Sequence, residues 1–131
     1  MMESDPLILT KYRMEQAHAA LEEADILFSK GKTTLGSVNR SYYAMFYAVI
    51  ALLQQVDKVP RKHSGAIALF DTEFVKKGIF PKELSKYLHQ AFESRQVSDY
   101  QTVSSFSREE AEEMLKRAKA FVQNIEDYLN L

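Results

Sequence analysis

The chain has 131 residues, of which 46% are hydrophobic and 27% are charged, proportions that are ordinary for one globular domain. It contains no cysteine, which excludes disulfides, thiolate metal ligands and a cysteine nucleophile, and which fits a cytoplasmic protein. Because the net charge is only −1, any contact with RNA must come from a local basic patch and not from an overall basic surface.

The first ten residues show neither the basic start nor the apolar centre of a signal peptide, and we expect a loose lead-in over 1–10. From Met14 onward, apolar residues recur at steps of three and four, which predicts an amphipathic helix that Gly31 ends. The longest uncharged apolar run, 41–56, is shorter than the ~20 residues of a membrane span, so no membrane contact is expected.

A second helix is predicted from about residue 34 to residue 55, and its middle is apolar on every side. A helix without a polar face is buried on most sides. It is therefore interpreted as the central helix, enclosed by other helices or by a second copy of the chain. Pro60 then prevents simple continuation and predicts a loop.

A third helix is predicted over 63–77, with Gly78 ending it, and a fourth begins at Pro81. The polar segment 97–106 is predicted to be a loop. The last helix begins with Ser107 and Glu110, the first and fourth residues of a capping box.

No strand-like alternation is present. The predicted fold is therefore all-α, an antiparallel up-and-down bundle of four to five helices that forms a single domain over 1–131.

One edge of the central helix carries polar groups that suit a phosphate or a nucleotide. Arg40 stands beside Asn39, and Tyr43 and Tyr47 follow at three and seven positions, on nearly the same face. The planar fork of arginine donates two parallel hydrogen bonds to a phosphate, and tyrosine can stack on a base. The alternative is structural, with Arg40 paired to a carboxylate and the tyrosines in the core.

Arg95 continues the apolar stripe of the fourth helix, where a charge is unexpected. Asp99 lies four residues further on, so an ion pair within the helix is one interpretation. The other is that Arg95 turns inward beside Arg40 and contributes to a shared anion site.

The densest basic cluster, Lys58, Arg61, Lys62 and His63, is either a solvated loop that caps the central helix or a phosphate-steering patch. His18 and His89 have no metal-ligand spacing relative to each other or to His63, so no metal is expected. The sequence has no glycine-rich phosphate loop or nucleophile elbow, so no cofactor is expected either.

Three segments resemble one known family, the HEPN domains, and in particular its small stand-alone members. They are SVNRSYYAMFYAVIALL (37–53), HSGAIALFDTEFVKKG (63–78) and LHQAFESRQVSDY (88–100), and the resemblance extends over about 15–129. It implies a homodimer packed through the central helices, and frequent pairing with a minimal nucleotidyltransferase as a toxin–antitoxin system. Active members have an arginine followed, after four to six residues, by a histidine, and the paired motifs form a metal-independent RNase site.

Carried onto this chain, the motif arginine is Arg40, and Tyr47 occupies the position of the histidine after six intervening residues. Ser41 stands where the family favours Asn, Asp or His. Proton transfer at neutral pH suits histidine, with an ordinary pKa near 6.5, better than tyrosine, with one near 10. Some relatives also carry a tyrosine that receives nucleotidyl groups from the partner enzyme, and Tyr43 or Tyr47 could act in this way.

Three hypotheses follow. The first is a dimer that associates with a minimal nucleotidyltransferase and binds nucleotide or RNA phosphates, with weak or no catalysis because of Tyr47. Its binding residues are Asn39, Arg40, Tyr43, Lys62, His63 and Arg95. The second is an active RNase toxin with Arg40 as a catalytic residue and another group in place of the motif histidine. The third is a helical dimerisation module without a ligand.

Overall fold

A computed structural model describes residues 6–31, 33–100 and 106–131, with side chains described as far as Arg95 in the fourth helix. The helices are α1 (Pro6–Lys30), α2 (Leu35–Gln55), α3 (His63–Phe70), α4 (Lys82–Tyr100) and α5 (Arg108–Leu129). A π-helical turn, Asp71–Val75, follows α3 directly. The described residues contain no strand, and the predicted all-α helical bundle is confirmed.

The loose lead-in predicted for 1–10 is wrong from residue 6 onward, because α1 begins at Pro6; residues 1–5 lie outside the described residues. Proline suits the first turn of a helix, where its missing N–H would have no partner. The side chain of Thr10 is fully buried, accepts a hydrogen bond from Gln55 Nε2 at 2.8 Å and lies 3.4 Å from the Ala51 carbonyl. These contacts with α2 hold the first turns of α1 in place.

The predicted central position of α2 is confirmed. Twelve of its 21 residues are buried, and it contacts α1, α3, α4 and α5. Such burial requires cover on several sides, because the apolar residues are not confined to one stripe. None of the described helices has the length and apolar character to cross a membrane.

Polar contacts show the register of α1 against α2. Ser37 donates to the Ala24 carbonyl at 2.9 Å near one end of the pair, and Thr10 lies against Ala51 near the other. In each contact the residue numbers of the two partners add to the same sum, as expected for antiparallel helices. This register later determines which α1 side chain reaches Arg40.

The helix α5 is antiparallel to α1 as well. His18 of α1 contacts Glu126 of α5 at 3.0 Å, and Asp25 contacts Lys119, also at 3.0 Å. Because both α2 and α5 are antiparallel to α1, they are parallel to each other, as in an up-and-down bundle.

The predicted third helix changes its geometry after Phe70, where the π-helical turn replaces regular α-helix. Phe70 and Phe74 are buried and stack with ring centroids 6.2 Å apart, and Phe121 of α5 packs on Phe70 at 5.4 Å. The widened turn therefore lies where the aromatic part of the core is packed. Gly78 ends the segment with φ of 80°, a left-handed conformation that suits glycine.

The loop predicted for 97–106 is wrong at its start, because α4 continues to Tyr100. No proline or glycine interrupts the chain between residues 82 and 107, so nothing in the sequence stops the helix at residue 97. Phe106 is not helical, as predicted, and 101–105 lie outside the described residues.

The predicted capping box at the start of α5 is confirmed. The Glu110 backbone N–H donates to Ser107 Oγ at 3.0 Å, and the Ser107 backbone N–H donates to Glu110 Oε1 at 2.9 Å. Two N–H groups that lack a partner within the helix are satisfied in this way.

We expect Ser107→Ala to lower the free energy of unfolding by about 1 kcal/mol, because it removes the oxygen that accepts from the first turn of α5. Urea unfolding followed by circular dichroism measures this. Ser29→Ala is the matched control, since Ser29 is exposed inside α1 and should change stability by no more than about 0.5 kcal/mol. Equal effects of the two substitutions would contradict a stabilising cap.

Candidate functional site

The candidate site lies on the face of α2 that its neighbours leave partly exposed. Asn39, Arg40, Tyr43 and Tyr47 are all half-buried, whereas Ser41, the residue after the motif arginine, is fully buried. The side chains at 39, 43 and 47 follow one another at four-residue steps along the helix surface. Ser41 therefore faces the core and not this surface.

Tyr43 is at the centre of the candidate site, because two arginines pack on its ring. The guanidinium carbon of Arg40 lies 5.2 Å from the ring centroid, and that of Arg95 lies 5.7 Å from it. Arg95 Nη2 also donates to Tyr43 Oη at 3.1 Å. Arg95 of α4 thus turns inward to the same ring as Arg40, and the side chain of Asp99 lies outside the described residues.

The two positive charges beside the Tyr43 phenol repel each other, and a nearby negative charge offsets this repulsion. Arg40 Nε donates to Glu23 Oε1 of α1 at 3.0 Å, with the side chains 30% and 58% exposed. The carboxylate pairing considered for Arg40 is therefore present. An exposed ion pair contributes only about 0.2–1 kcal/mol, so a phosphate can compete with Glu23 for the guanidinium.

His63, the first residue of α3, packs against the aromatic side chains of α2. Its Nδ1 lies 2.8 Å from Tyr42 Oη, at hydrogen-bonding distance. Its ring stacks on Phe46 with centroids 3.9 Å apart and meets Tyr43 edge-on at 5.8 Å. His63 therefore belongs to the Tyr43 cluster, here defined as Arg40, Tyr42, Tyr43, Phe46, His63 and Arg95.

The environment of the cluster favours neutral side chains beside the arginines. Burial lowers the pKa of His63 below its usual range, and the nearby charge of Arg95 lowers it further. Burial raises the pKa of Tyr42 well above its usual value, although the positive charge of Arg95 opposes this. At neutral pH, His63 is an uncharged imidazole and Tyr42 an intact phenol.

The residues of the basic loop have different surroundings. Lys58 contacts Glu73 at 3.5 Å, and Arg61 and Lys62 are exposed. Lys62 is the N-cap residue of α3 and so directly precedes His63. Of this loop, only His63 enters the cluster.

Tyr47 lies one turn further along α2, with its ring 6.0 Å from that of Tyr43 and 6.2 Å from that of Phe46. It extends the aromatic surface beyond the arginines. No described contact joins Asn39 to the cluster, although it shares the half-exposed face.

The other two histidines lie in separate surface contacts. His18 pairs with Glu126, and His89 lies 2.7 Å from Asp71. The described part of the chain contains no group of three or more side chains that could hold a metal ion.

Sequence reasoning did not identify Glu23, Tyr42 and Phe46 as parts of this region. The position of Glu23 could have been predicted from the sequence. The short connection between α1 and α2 places residues whose numbers add to about 61–63 opposite each other. The contact of Tyr42 and Phe46 with His63 could not have been predicted from the sequence, because it depends on the path of the loop between α2 and α3.

Comparison with known proteins agrees with this architecture. The family model described as HEPN domain matches residues 10–128, nearly the whole chain. A UPF0332 protein of Thermotoga maritima is 37% identical over 118 residues, which cover 90% of this chain and 89% of the relative. The chain therefore belongs to the HEPN domain family.

Two further relatives come from Methanocaldococcus jannaschii and bear the names "Putative toxin MJ0142" and "Putative toxin MJ0605". The first is 35% identical over 88% of this chain and 78% of its own length. The second is 34% identical over 88% of this chain and 85% of its own length.

We expect Arg95→Gln to raise the pKa of His63 part of the way towards its usual value, because the charge of Arg95 is removed while burial remains. A titration of the imidazole protons by NMR measures the midpoint. Arg117→Gln is the matched control, since Arg117 packs on Tyr87 and Gln90 and should leave His63 unchanged.

The same shift has a consequence for stability. The folded pKa of His63 lies below its unfolded value, so protonation favours the unfolded chain as the pH falls below about 6.5. If the NMR titration of the parent protein gave a His63 pKa at or above its ordinary value, the described effect of burial and of Arg95 on His63 would be wrong.

Proposed function

We propose that this protein is a HEPN-type homodimer that binds phosphates of RNA or of a nucleotide through the Tyr43 cluster. Arg40 and Arg95 hold the phosphate, Tyr43 and Tyr47 line the cleft, and Asn39, Lys62 and His63 flank it. The supporting observation is that two guanidiniums from different helices pack on one half-exposed tyrosine. Packing the guanidiniums on a ring limits their motion, so less entropy is lost when they bind.

The chemistry of these groups suits a phosphodiester better than a free carboxylate or a sugar. Each guanidinium offers parallel N–H donors that match phosphate oxygens. Exposed aromatic rings beside cations provide stacking surfaces for bases, which is how single strands are held without sequence readout. The net charge of −1 is no obstacle, because the positive charge is local.

An apolar surface beside Arg40 supports the homodimer. Ile26 and Leu27 of α1 are 57% and 37% exposed, and together with Glu23 and Arg40 they line a shallow depression. A second copy placed here covers apolar side chains and brings a second cluster close to the first.

A minimal nucleotidyltransferase is the proposed partner, on the basis of the resemblance to HEPN toxin–antitoxin systems. Two relatives with "toxin" in their names support a role in such a pair. Tyr43 and Tyr47 are half-exposed, so either hydroxyl group could accept a nucleotidyl group from that partner.

The second candidate function is RNA cleavage. The specific observation in its favour is that a histidine, His63, packs on the same ring as both arginines, although the motif position carries Tyr47. We propose that cleavage is slow in this protein because Tyr47 replaces the motif imidazole.

We expect Arg40→Ala to weaken binding of a fluorescein-labelled single-stranded RNA dodecamer by about 10- to 100-fold, since charge-assisted hydrogen bonds contribute about 1.5–3 kcal/mol each. Glu23→Gln should strengthen binding by about 2- to 5-fold, because it removes the competing carboxylate. Fluorescence anisotropy at fixed salt measures both effects.

Arg117→Ala is the control, because Arg117 is a half-buried arginine held by Glu113 and Gln90 outside the cluster. If Arg40→Ala and Arg117→Ala lost RNA affinity equally, binding would depend on general charge attraction and not on a specific site. Absence of binding by the parent protein would end the proposal.

We expect the parent protein to cleave RNA slowly and Tyr47→His to cleave it at least about 10-fold faster, because the substitution restores an imidazole at the motif position. Adding Arg40→Ala should abolish cleavage in both backgrounds. Gel analysis of labelled RNA in EDTA measures the rates. Equal rates for the parent and Tyr47→His would show that position 47 has no part in proton transfer.

A further inference from the structure

The contacts that hold the His63 side chain in place are more extensive than phosphate binding alone requires. Its imidazole is fixed by a hydrogen bond with Tyr42 and by stacking on Phe46. A histidine that only attracts phosphate needs exposure and charge, whereas this one is half-buried and its pKa is lowered by burial and by Arg95.

The hydrogen bond with Tyr42 engages only one ring nitrogen, Nδ1. No group in the described ranges hydrogen-bonds Nε2. The two nitrogens of histidine are distinct, and the partner of one determines what the other can do. When the ring carries its hydrogen on Nδ1 and donates to Tyr42 Oη, Nε2 has a free lone pair.

The position of His63 relative to the arginines is equally specific. All three side chains contact the Tyr43 ring, with Arg40 at 5.2 Å, Arg95 at 5.7 Å and the His63 ring at 5.8 Å from its centroid. A phosphodiester held by the guanidiniums is therefore close to the imidazole. An RNA strand carries its 2′-hydroxyl group next to that phosphate.

Several groups face His63 from the elements that pack on it. They are the phenols of Tyr42 and Tyr43 on α2 and the guanidinium of Arg95 on α4, while Lys62 precedes it in the chain. None of these groups is a carboxylate, and a carboxylate is the kind of neighbour that keeps a histidine protonated. The imidazole is thus uncharged at neutral pH and able to accept a proton.

We propose that His63, and not Tyr47, is the general base for slow RNA cleavage by this protein, an inference that rests on the proposed binding of RNA phosphates to the Tyr43 cluster. Nε2 of His63 takes the proton of the 2′-hydroxyl group, and the 2′-oxygen forms a bond to phosphorus. The bond between phosphorus and the 5′-oxygen breaks, and the 5′-oxygen takes a proton from water. The resulting hydroxide takes the proton from His63, so that a 2′,3′-cyclic phosphate and a 5′-hydroxyl end remain.

Tyr42 is a positioning residue in this scheme. In the tautomer that carries its hydrogen on Nδ1, the buried Tyr42 hydroxyl group accepts from Nδ1–H, which leaves the lone pair on Nε2. Burial keeps Tyr42 in the protonated form, because it raises the pKa of the phenol. Tyr42 itself does not touch the RNA.

The test is single-turnover cleavage of the labelled RNA dodecamer, with binding measured by anisotropy on the same samples. His63→Gln should weaken binding far less than Arg40→Ala does, because an uncharged imidazole only flanks the phosphate, and should cleave at least about 100-fold more slowly, the usual contribution of a general base. His18→Gln, a change at an exposed histidine on α1, should leave both values unchanged. Parental cleavage in His63→Gln overturns the inference.

A double variant shows whether a loss in His63→Gln comes from misfolding. Tyr47→His with His63→Gln should retain most of the cleavage of Tyr47→His alone, because the motif imidazole then takes the proton. If both imidazoles are required equally, His63 is not an independent base and the inference is wrong.

Tyr42→Phe should retain binding and shift the acid limb of the pH–rate profile to lower pH, because the protonated imidazole loses its acceptor. A purely structural role of Tyr42 would lower the rate without moving that limb. In the parent protein, the midpoint of the limb should equal the pKa of His63 measured by NMR, and a mismatch overturns the inference without any variant.

The outcomes also separate this inference from the proposed function. If the parent protein binds RNA but does not cleave it, the proposal that His63 is a general base is wrong and the proposal of phosphate binding stands. A parent protein that does not bind RNA removes the proposed function itself.

Discussion

The burial of α2 is the constraint on which the rest of the structure depends. Twelve of its residues are buried, and four other helices contact it. At about 1.5–3 kcal/mol for each large apolar side chain removed from water, this burial is a major driving force for folding. The other helices are placed where they cover α2, and the site lies where the cover is incomplete.

Close packing of α1 on α2 is possible because α1 presents small side chains. Ala17, Ala20 and Ala24 are fully buried, and small residues at a helix contact reduce the distance between helix axes. Buried hydroxyl groups of Thr10 and Ser37 then bond across the pair. Since buried polar groups must find partners, these contacts fix one register and disfavour a slip along the helices.

That register has a direct effect on the candidate site. It places Glu23 beside Arg40, so that the arginine has a partner while its guanidinium still packs on Tyr43. The pair is exposed and weak, whereas the ring contact holds the guanidinium in position.

Much of the fold follows from the sequence, because helix patterns and caps are local. The apolar run after Arg40 predicted a buried central helix, Ser107 and Glu110 predicted the start of α5, and Gly78 predicted the end of the third helical segment. Two boundaries were wrong, at the start of α1, where residues 6–10 follow a short polar stretch and contain a proline, and near residue 97, where the segment is polar enough to resemble a loop. In α1 the tertiary contacts of Thr10 with α2 outweighed that local preference.

The sequence by itself determined the helices, the central position of α2 and the face that carries Asn39, Arg40, Tyr43 and Tyr47, because these depend on spacing along one helix. Only the tertiary structure decided that Arg95 turns to Tyr43, that Glu23 pairs with Arg40, and that His63 leaves the basic loop for the aromatic cluster. These contacts join residues 17 to 52 positions apart in the chain. Helix periodicity relates only neighbours within a few turns, whereas such distant contacts follow from the packing of whole helices around α2.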